Sequence, residues 1–533
     1  MTISKKEFFW AISIIALLLL FFNSMSIFYL QTSYLDDFHR YMLGLEFKVH
    51  PVIMARNFLR AYIILPLFWL MTKELWIARL VLVVVFYIPL SFTFFYIYRS
   101  FFKFPFMFAI TASILPCFLP GQSQIPWFID GSYTVQGLLI FNFHLILALK
   151  LIEEAKPRYS LLILSILFYV LSIEMMDQSL FLAPVSLLVG IVGIYKNKKN
   201  RVRLIIYMTL VLLFTVLKLV ILKINPTVPA AAPVPFNFEL FITRLESAIH
   251  VMLPFDHTIT GDNILSYQLW LVLLVISSLW GFIKGSAKEK ILFIGGWAWF
   301  FCSIIIFITV SRFYSPRYTH VSAFGLNFLI VLTALVLSRY HVMSGKKEKT
   351  LVTLSLIFTV LYAGSLRLKF DYQAFKKRNI SVERLTATLN SITFPTSSQI
   401  YIANGERFDT GGYWNYSSGF LKLITKRKDL VGLVGPERKM YNPFETKNRG
   451  FSEDAKMNGL DPNKPVFFFK EVCKDSNCEY QPKDMVLKVS ENWWEILQFD
   501  LKDGEKKIRF SGMGIESLEN TILKNKIQDL LFY

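Results

Sequence analysis

Long apolar runs alternate with short polar connections from the N-terminus to Leu366. A helix needs about 20 apolar residues to cross the hydrocarbon core of a bilayer, and most of these runs approach that length. The pattern predicts an α-helical polytopic membrane protein with about eleven transmembrane helices. The predicted spans are Phe8–Leu30, Leu75–Tyr98, Phe104–Leu119, Tyr133–Ile152, Tyr159–Ile173, Leu180–Tyr195, Leu204–Leu222, Tyr267–Ile283, Ile291–Val310, Val321–Leu337 and Leu351–Leu366.

The charges between the runs predict the orientation of the chain. Every second connection is basic, which is typical of the cytoplasmic side of a membrane protein. Lys5 and Lys6 precede the first run, so we expect a cytoplasmic N-terminus. That run is longer than the apolar part of a signal peptide, and Asn23–Ser26 is a poor cleavage site, so we expect an uncleaved helix. An odd number of spans then places the C-terminus on the outer side.

Two stretches between the spans need a separate interpretation. Asn57–Met71 is short and contains Pro66, and it predicts an interfacial or re-entrant helix on the outer side. If it crossed the membrane, every later basic connection would lie outside, against the positive-inside rule. Asn225–Ser266, which is rich in Pro and Ala at first, predicts a long outer loop.

The residues that follow the last run predict a second domain. Residues 1–368 form the expected membrane domain, and residues 369–533 have the size of an ordinary soluble domain. Short apolar runs there are typical of buried strands, and apolar residues at helical spacing indicate helices. We expect a small α/β domain on the outer, periplasmic face. Its predicted strands are Ser398–Ala403 and Lys464–Phe469, and its predicted helices are Ile380–Ser391 and Ile515–Leu531.

The four cysteines fall into two groups. Cys473 and Cys478 lie close together in the exported domain, where an oxidising compartment favours a disulfide between them. A metal site there would need further thiols or a histidine, and residues 369–533 contain no histidine. Cys117 and Cys302 fall inside predicted spans, where they are expected to pack as small apolar residues.

Composition agrees with a membrane protein that carries a soluble part. Of 533 residues, 54% are hydrophobic, which exceeds the roughly 45–50% of a soluble domain. The chain has 57 Lys and Arg against 38 Asp and Glu, a net charge of +19. Much of this excess lies in the short connections rather than in a separate basic domain. Nucleic-acid binding is therefore excluded as an explanation of the charge.

Polar and ionisable residues gather in four places on the predicted outer side. Ionisable residues at a membrane boundary are costly to bury, so they usually pair with one another or line a cavity. We take these residues as the candidate site. The members are Asp36, Asp37, His39 and Arg40 after the first span; His50, Arg56 and Arg60; Glu174, Asp177 and Gln178; and Arg312, Arg317 and Tyr318.

Structural roles remain open for each of these groups. The acidic pair after the first span could be a solvated loop. Glu174 and Asp177 could cap the following helix, and Arg312 and Arg317 could anchor to lipid phosphates. The two histidines suit loop hydrogen bonds better than metal coordination. No zinc site is visible in the sequence, no cofactor is required by it, and a divalent cation on Asp36, Asp37 and Asp177 remains open because hard cations prefer oxygen ligands.

The combination of carboxylates and arginines points to a class of chemistry. A carboxylate can act as a general base on a hydroxyl, and arginines can bind a phosphate and stabilise it as it leaves. Beside lipid, a reaction that needs both is the transfer of a group from a lipid phosphate to a hydroxyl. The sequence shows no Gly-rich nucleotide-binding loop, which disfavours a nucleotide-sugar donor.

The chain resembles GT-C type glycosyltransferases in its many spans, its acidic motif in the first outer loop and its C-terminal outer domain. Asp36-Asp37-Phe38-His39-Arg40 is similar to the D-D-x-x-R pattern of phage-type, serotype-converting glucosyltransferases that modify O-antigen. Glu174–Ser179 resembles the polar turn with a Gln in such proteins, and Pro316-Arg317-Tyr318 the P-R-Y turn before a late span. One departure is Val49-His50-Pro51, where that family tends to have Gly-Arg-Pro.

The resemblance implies a donor, an acceptor and residue roles. The donor would be a polyprenyl-phosphate sugar such as undecaprenyl-phosphate glucose, and the acceptor a hydroxyl of a surface glycan such as O-antigen in lipopolysaccharide. Asp36 or Asp37 would be the general base of an inverting displacement. Arg40 and Arg317 would hold the donor phosphate together with Arg56 or Arg60, and the C-terminal domain would bind or shape access for the glycan.

Other functions of the same general architecture stay open. A transporter or flippase of lipid-linked sugar also needs many spans, although its charges usually lie near the bilayer midplane and often in paired repeats. A glycan polymerase or ligase differs chiefly in its lipid-diphosphate donor. A non-enzymatic scaffold would leave the outer Asp and Arg positions freely replaceable. The resemblance favours an enzyme of the inner (cytoplasmic) membrane of a bacterium.

Overall fold

The computed structural model describes about two thirds of the chain. The described residues are 3–30, 41, 44–46, 58–119, 129–154, 158–224, 237–252, 264–309, 319–340, 346–391, 399–403, 417–434, 466–474, 477–489, 494–500 and 504–505. The chain divides into two compact units. The first comprises Met1–Ile27, Val49–Leu67 and Trp76–Asp371, and the second comprises Phe28–Lys48, Phe68–Leu75 and Tyr372–Tyr533.

Most of the described helices belong to the first unit, which ends at Asp371. The early helices are α1 (Lys5–Phe22), α2 (Phe58–Lys73), α3 (Leu75–Val81), α4 (Ile88–Tyr96), α5 (Phe106–Ile114), α6 (Tyr133–Glu153) and α7 (Tyr159–Met175). The later helices are α8 (Ala183–Lys196), α9 (Arg201–Ile224), α10 (Phe238–Met252), α11 (Ile264–Lys284), α12 (Ala287–Thr309), α13 (His320–Tyr340) and α14 (Lys346–Ser391). Short π-helical and 3-10 segments adjoin several of them, among them Met25–Tyr29, Leu82–Tyr87, Ile97–Phe101, Leu115–Cys117, Ile129–Ser132, Asp177–Leu182 and Lys198–Asn200.

Every apolar run predicted as a span coincides with a helix. Six helical stretches within the described residues are long and apolar enough to cross a membrane. The prediction of a helical membrane protein is thereby confirmed. The six stretches are Leu75–Phe101, Tyr133–Glu153, Asp177–Lys196, Lys198–Lys223, His320–Arg339 and Thr350–Lys376. Three shorter apolar helices cover Phe106–Cys117, Tyr159–Met175 and Leu274–Lys284.

The long loop predicted over Asn225–Ser266 is wrong for its middle part, which forms α10. Asn237 starts this helix, because its side-chain oxygen accepts hydrogen bonds from the backbone N–H groups of Glu239 and Leu240. Apolar residues recur at helical spacing and give α10 one buried face. That face packs with Phe300, Ile304 and Ala323 of the neighbouring helices, and its members are Phe241, Leu245, Ala248, Ile249 and Met252.

Stacked aromatic rings pack the middle of the first unit. The Phe94 and Phe324 rings lie 4.3 Å apart, and the Phe104 and Phe328 rings 5.7 Å apart, both nearly parallel. At another contact α1 and α14 approach closely, because a Cβ atom on Gly364 would lie 2.5 Å from the ring of Phe22. A small residue at such a position lets the backbone of one membrane helix approach a side chain of the other closely.

A neutral polar cluster, which we call the histidine cluster, links four of these helices. It consists of His144, Ser165, Ser186 and Tyr207. His144 Nδ1 donates to the carbonyl of Ser165 at 2.9 Å, since a carbonyl can only accept. Nε2 is then the acceptor, and the hydroxyls of Ser186 at 3.0 Å and Tyr207 at 3.1 Å both lie within donating distance of its single lone pair. The cluster joins α6, α7, α8 and α9 through uncharged hydrogen bonds.

The described part of the second unit contains a mixed six-stranded sheet with strand order β2-β1-β3-β4-β5-β6. The central strand β1 is parallel to β2 and β3, and the remaining pairs are antiparallel. Helix α15 (Ser417–Thr425) makes the crossover between β1 and β2. The strands are β1 (Gln399–Ala403), β2 (Val431–Val434), β3 (Val466–Lys474), β4 (Asn477–Val489), β5 (Trp494–Asp500) and β6 (Gly504–Glu505).

The predicted elements of this region can be compared with the structure. Both predicted strands coincide with strands, β1 and β3. The predicted helix Ile380–Ser391 is the last part of α14, so it continues the final apolar helix without a break. The predicted helix Ile515–Leu531 lies outside the described residues.

Candidate functional site

Most of the candidate site lies outside the described residues. These positions are Asp36, Asp37, His39, Arg40, His50, Arg56, Arg312, Arg317 and Tyr318. Their predicted roles therefore stay predictions. The structure describes Arg60, Glu174, Asp177 and Gln178, together with the helix ends that adjoin the other positions in the sequence.

Arg60 lies on α2 and stacks on an aromatic ring. Its guanidinium carbon is 3.6 Å from the centre of the ring of Tyr133, the first residue of α6. A cation over an aromatic face gains about 0.5–2 kcal/mol, more when water is excluded. This contact places Arg60 at the end of the bundle where α6 begins.

Glu174 lies in the last turn of α7 and forms an ion pair with Lys218 of α9. The Lys218 ammonium is 2.7 Å from the Glu174 carboxylate, and the Lys218 side chain is 2% exposed. A cation within an apolar helix is costly unless an opposite charge is near. Glu174 therefore has a structural partner, and its predicted contact with a substrate stays a prediction.

Asp177 and Gln178 begin the 3-10 segment that follows α7. This turn is held against the start of α6, since Ser172 Oγ lies 2.9 Å from the carbonyl of Gly137 and 2.6 Å from Ser179 Oγ. A Cβ atom on Gly137 would lie 2.4 Å from that of Met176, so only glycine allows this approach. The structure therefore brings Arg60, Asp177 and Gln178 to the same end of helix α6.

Sequence reasoning missed a buried cluster of charges in the first unit. We call Asn23, Ser26, Cys117, Arg367 and Asp371 the arginine–aspartate cluster. Arg367 Nε donates to Asp371 Oδ2 at 2.8 Å, and both side chains are at most 1% exposed.

The surrounding members of this cluster make longer polar contacts. The hydroxyl of Ser26 donates to Asp371 Oδ2 at 3.4 Å. The guanidinium also lies 3.4 Å from the side-chain oxygen of Asn23 and from the carbonyl of Cys117. The ion pair therefore joins the end of α1, the end of α5 and helix α14.

Two further polar side chains adjoin this cluster. The rings of His320 and Tyr87 lie 6.0 Å apart, and Arg367 is near enough to act electrostatically on both. His320 is fully buried, and neither of its ring nitrogens has a hydrogen-bond partner within the described residues. In the sequence His320 directly follows the motif with Arg317 and Tyr318, and Asn23 and Ser26 precede the motif with Asp36 and Asp37.

The sequence did contain a signal for the missed residues. Arg367 and Asp371 carry opposite charges four residues apart, which puts them on one face of a helix. The prediction ended the last span at Leu366, so Arg367 and Asp371 fell outside it. Because α14 continues to Ser391, Arg367 instead lies inside the helix and faces the bundle.

The predictions about metal and cysteine stay open. Among the described residues no group of three or more His, Cys, Asp and Glu side chains could hold a metal ion. Two of the three carboxylates proposed for a divalent cation, Asp36 and Asp37, lie outside those residues. Strand register places Cys473 opposite Cys478 in the β3–β4 hairpin. Directly opposed residues have Cα atoms about 4.5–5.5 Å apart, which a disulfide can bridge.

No protein-family model and no curated protein sequence matches the chain. The chemical argument therefore rests on the residues themselves. Among the described residues, the charged groups that this argument can use are the buried Arg367–Asp371 pair and Arg60, which stacks on Tyr133.

Proposed function

We propose that the protein is a membrane glycosyltransferase of the GT-C type. It moves a sugar, glucose or a relative, from a polyprenyl-phosphate donor to a hydroxyl of a surface glycan such as O-antigen. In this proposal about eleven helices cross the bacterial inner membrane, the N-terminus is cytoplasmic, and the α/β domain is periplasmic. The donor is an undecaprenyl-phosphate sugar, and no nucleotide is required.

The observation that carries the proposal is the buried Arg367–Asp371 pair beside the end of α1. Burying two charges costs several kcal/mol per ion before their attraction is counted, so a pair of this kind is often kept for function. Asn23 and Ser26, which contact the pair, precede Asp36 and Asp37 in the sequence. Arg60 supports the same reading, because its stacking on Tyr133 orders a second guanidinium at the start of α6.

The reaction is a single inverting displacement. Asp37, or Asp36, takes the proton of the acceptor hydroxyl as its oxygen attacks the anomeric carbon of the donor. The bond between that carbon and the phosphate oxygen breaks, and its electron pair stays on the phosphate. Polyprenyl phosphate leaves with its negative charge held by Arg40 and Arg317, with Arg56 or Arg60. The protonated carboxyl then returns its proton to water.

The mass of the surface polysaccharide repeat tests this function. We would compare cells with the wild-type protein, with Asp36→Asn, with Asp37→Asn and without the protein. We expect a hexose increment with the wild type and none with Asp37→Asn, because an amide cannot accept the proton. Glu74→Gln changes an exposed carboxylate outside the candidate site and is expected to keep the increment.

Three outcomes would contradict the proposal. Full transfer by both Asp36→Asn and Asp37→Asn would remove the assigned base. An unchanged repeat mass in all cells, with the protein present in the membrane, would favour a flippase of lipid-linked sugar. A longer chain in place of one added sugar would favour a polymerase or ligase.

A further inference from the structure

An apolar cavity lies in the helical bundle, at the opposite end of α6 from Arg60 and Tyr133. It has a volume of about 300 Å³ and is bounded by the segment Ile97–Phe101 and by helices α4, α6, α8, α12 and α13. Its walls are almost entirely aliphatic and aromatic, among them Phe94, Leu145, Val185, Trp299 and Phe324. Ligand sites in proteins commonly have volumes of about 300–1,000 Å³ and walls of this kind.

The rim of the cavity is charged. Lys196 and Lys288 line it together with Glu153, and all three residues reach solvent, although the side chain of Lys288 is partly covered. Lys288 donates hydrogen bonds to the carbonyls of Phe101 at 3.2 Å and Phe102 at 3.0 Å, which orders its ammonium at the rim. These residues belong to the basic connections, so in the proposed orientation the rim faces the cytoplasm.

The electrostatics of Lys288 indicate an excess of positive charge at the rim. Partial burial lowers the pKa of Lys288, and the neighbouring charges of Lys196 and Lys103 lower it further, as does Arg339 to a lesser extent. Glu153 acts in the opposite sense without cancelling these effects. An anion between the lysines would relieve this repulsion. The charge therefore complements an anionic headgroup, and the walls complement a hydrocarbon chain.

We infer that this cavity binds an anionic phospholipid of the cytoplasmic leaflet, with an acyl chain among the apolar walls and its phosphate between Lys196 and Lys288. The cytoplasmic leaflet is rich in anionic lipids, which basic residues near the surface attract. A cavity of about 300 Å³ is at the small end of ligand sites, which favours an acyl chain over the much longer chain of a polyprenyl phosphate. The inference rests on the orientation given in the proposed function, but it does not depend on sugar transfer.

Gly295 offers a position at which a larger side chain would fill the cavity, whereas its neighbour Gly296 does not. A Cβ atom on Gly295, which lines the cavity, would meet only Leu188 at 3.6 Å, an ordinary contact. A Cβ atom on Gly296 would lie 2.7 Å from the side chain of Leu329, so that position is already packed. Gly295→Leu is therefore expected to fill the cavity, and Gly295→Ala to leave most of it open.

The test measures lipid binding to the full-length protein in mild detergent. Native mass spectrometry would follow binding of dilauroyl phosphatidylglycerol, which is anionic, and dilauroyl phosphatidylcholine, which is zwitterionic with the same chains. We expect the wild type to bind the anionic lipid at least fivefold more tightly. Lys196→Gln with Lys288→Gln should abolish that preference, and Gly295→Leu should weaken binding of both lipids at least fivefold.

Matched controls separate this site from general effects of charge and packing. Lys198→Gln with Lys199→Gln removes two exposed charges from the same connection without changing the cavity lining. We expect it, and Gly295→Ala, to stay within twofold of the wild type. Thermal unfolding would verify that each variant is folded. If Gly295→Leu does not fold, the variant with Lys196→Gln and Lys288→Gln decides whether the cavity binds the anionic lipid.

Several results would overturn the inference. Equal binding of the two lipids by the wild type would remove the role of the charged rim. An equal loss in the Lys198 and Lys199 control would indicate general attraction to basic surface. A polyprenyl phosphate could also copurify with the wild type and be lost from Gly295→Leu. That result would assign the cavity to polyprenyl phosphate instead of a phospholipid.

Discussion

Two buried polar clusters lie in the same helical unit and differ in charge. In the histidine cluster, an imidazole, two serine hydroxyls and a tyrosine satisfy one another without a formal charge. The arginine–aspartate cluster buries a full ion pair whose outer contacts are longer, at 3.4 Å. Hydrogen bonds between neutral groups on membrane helices each stabilise the helix packing by a modest amount. A buried ion pair is a weak stabiliser by itself, so its presence calls for another reason.

The comparison teaches where to look for function in this bundle. The histidine cluster joins four helices through their interiors and has a structural role. The arginine–aspartate cluster includes Asn23 and Ser26, which precede the motif with Asp36 and Asp37 in the sequence. His320 lies beside it with no hydrogen-bond partner among the described residues. A residue of this kind is available to a ligand or to groups on the adjoining segments.

The largest expected effect comes from breaking the ion pair. Arg367→Met leaves the Asp371 carboxylate buried without its partner, and we expect the free energy of unfolding to fall by about 3–5 kcal/mol. Arg367→Met with Asp371→Leu removes both charges and should recover most of that loss. Unfolding in mixed detergent and denaturant would measure both effects.

The double variant also tests whether the cluster serves the reaction. If the proposed function holds, the folded double variant should transfer sugar at least about 100-fold more slowly, a loss of about 2.7 kcal/mol in transition-state stabilisation. The mass of the surface polysaccharide would report it. A stable double variant with normal transfer would make the pair structural only.

A smaller effect is expected in the histidine cluster. His144→Leu removes its hydrogen bonds to Ser186 and Tyr207 and should lower stability by about 1–2 kcal/mol, since such bonds between membrane helices are modest. Transfer by the folded variant should stay normal. Tyr207→Phe removes a single hydroxyl and should cost about 0.6 kcal/mol. If His144→Leu lost sugar transfer while its stability stayed unchanged, the histidine cluster would not be purely structural.

The smallest effect concerns a half-buried ion pair at the start of α1. Arg99 donates to the carboxylate of Glu7 at 2.6 Å, and this hydrogen bond lowers the pKa of Glu7. The stabilisation is therefore complete above the unfolded pKa of about 4.3 and is lost as the pH falls through the lower folded value. Pairs near the surface contribute about 0.2–1 kcal/mol.

Glu7→Gln provides the measurement for this pair. It keeps a side chain that can cap the helix with Ser4 but removes the charge. Unfolding of the wild type and the variant would be compared at pH 7 and pH 3. The difference should be present at pH 7 and shrink at pH 3. A difference that is the same at both values would show that charge is not its source.

Local patterns predicted much of the helical architecture because long apolar runs have few alternatives in a bilayer. All predicted spans coincide with helices, and Asn57–Met71 coincides with α2, whose predicted interfacial position stays a prediction. The error at α10 has a physical cause. Proline and alanine before Asn237 suggested a loop, although the later residues have helical spacing. Lys218 was missed because a single charge hardly changes the hydropathy of a long apolar run.

The sequence by itself determined the membrane class, the positions of the apolar helices and the motifs that suggest sugar transfer. These follow from local chemistry, since a bilayer demands apolar helices of a given length. Only the tertiary structure decided that Arg367 pairs with Asp371 beside Asn23, that Glu174 pairs with Lys218, and that lysines from separate connections meet at the rim of a cavity. Contacts between residues far apart in the chain depend on how the helices pack. No single stretch of the sequence determines that packing.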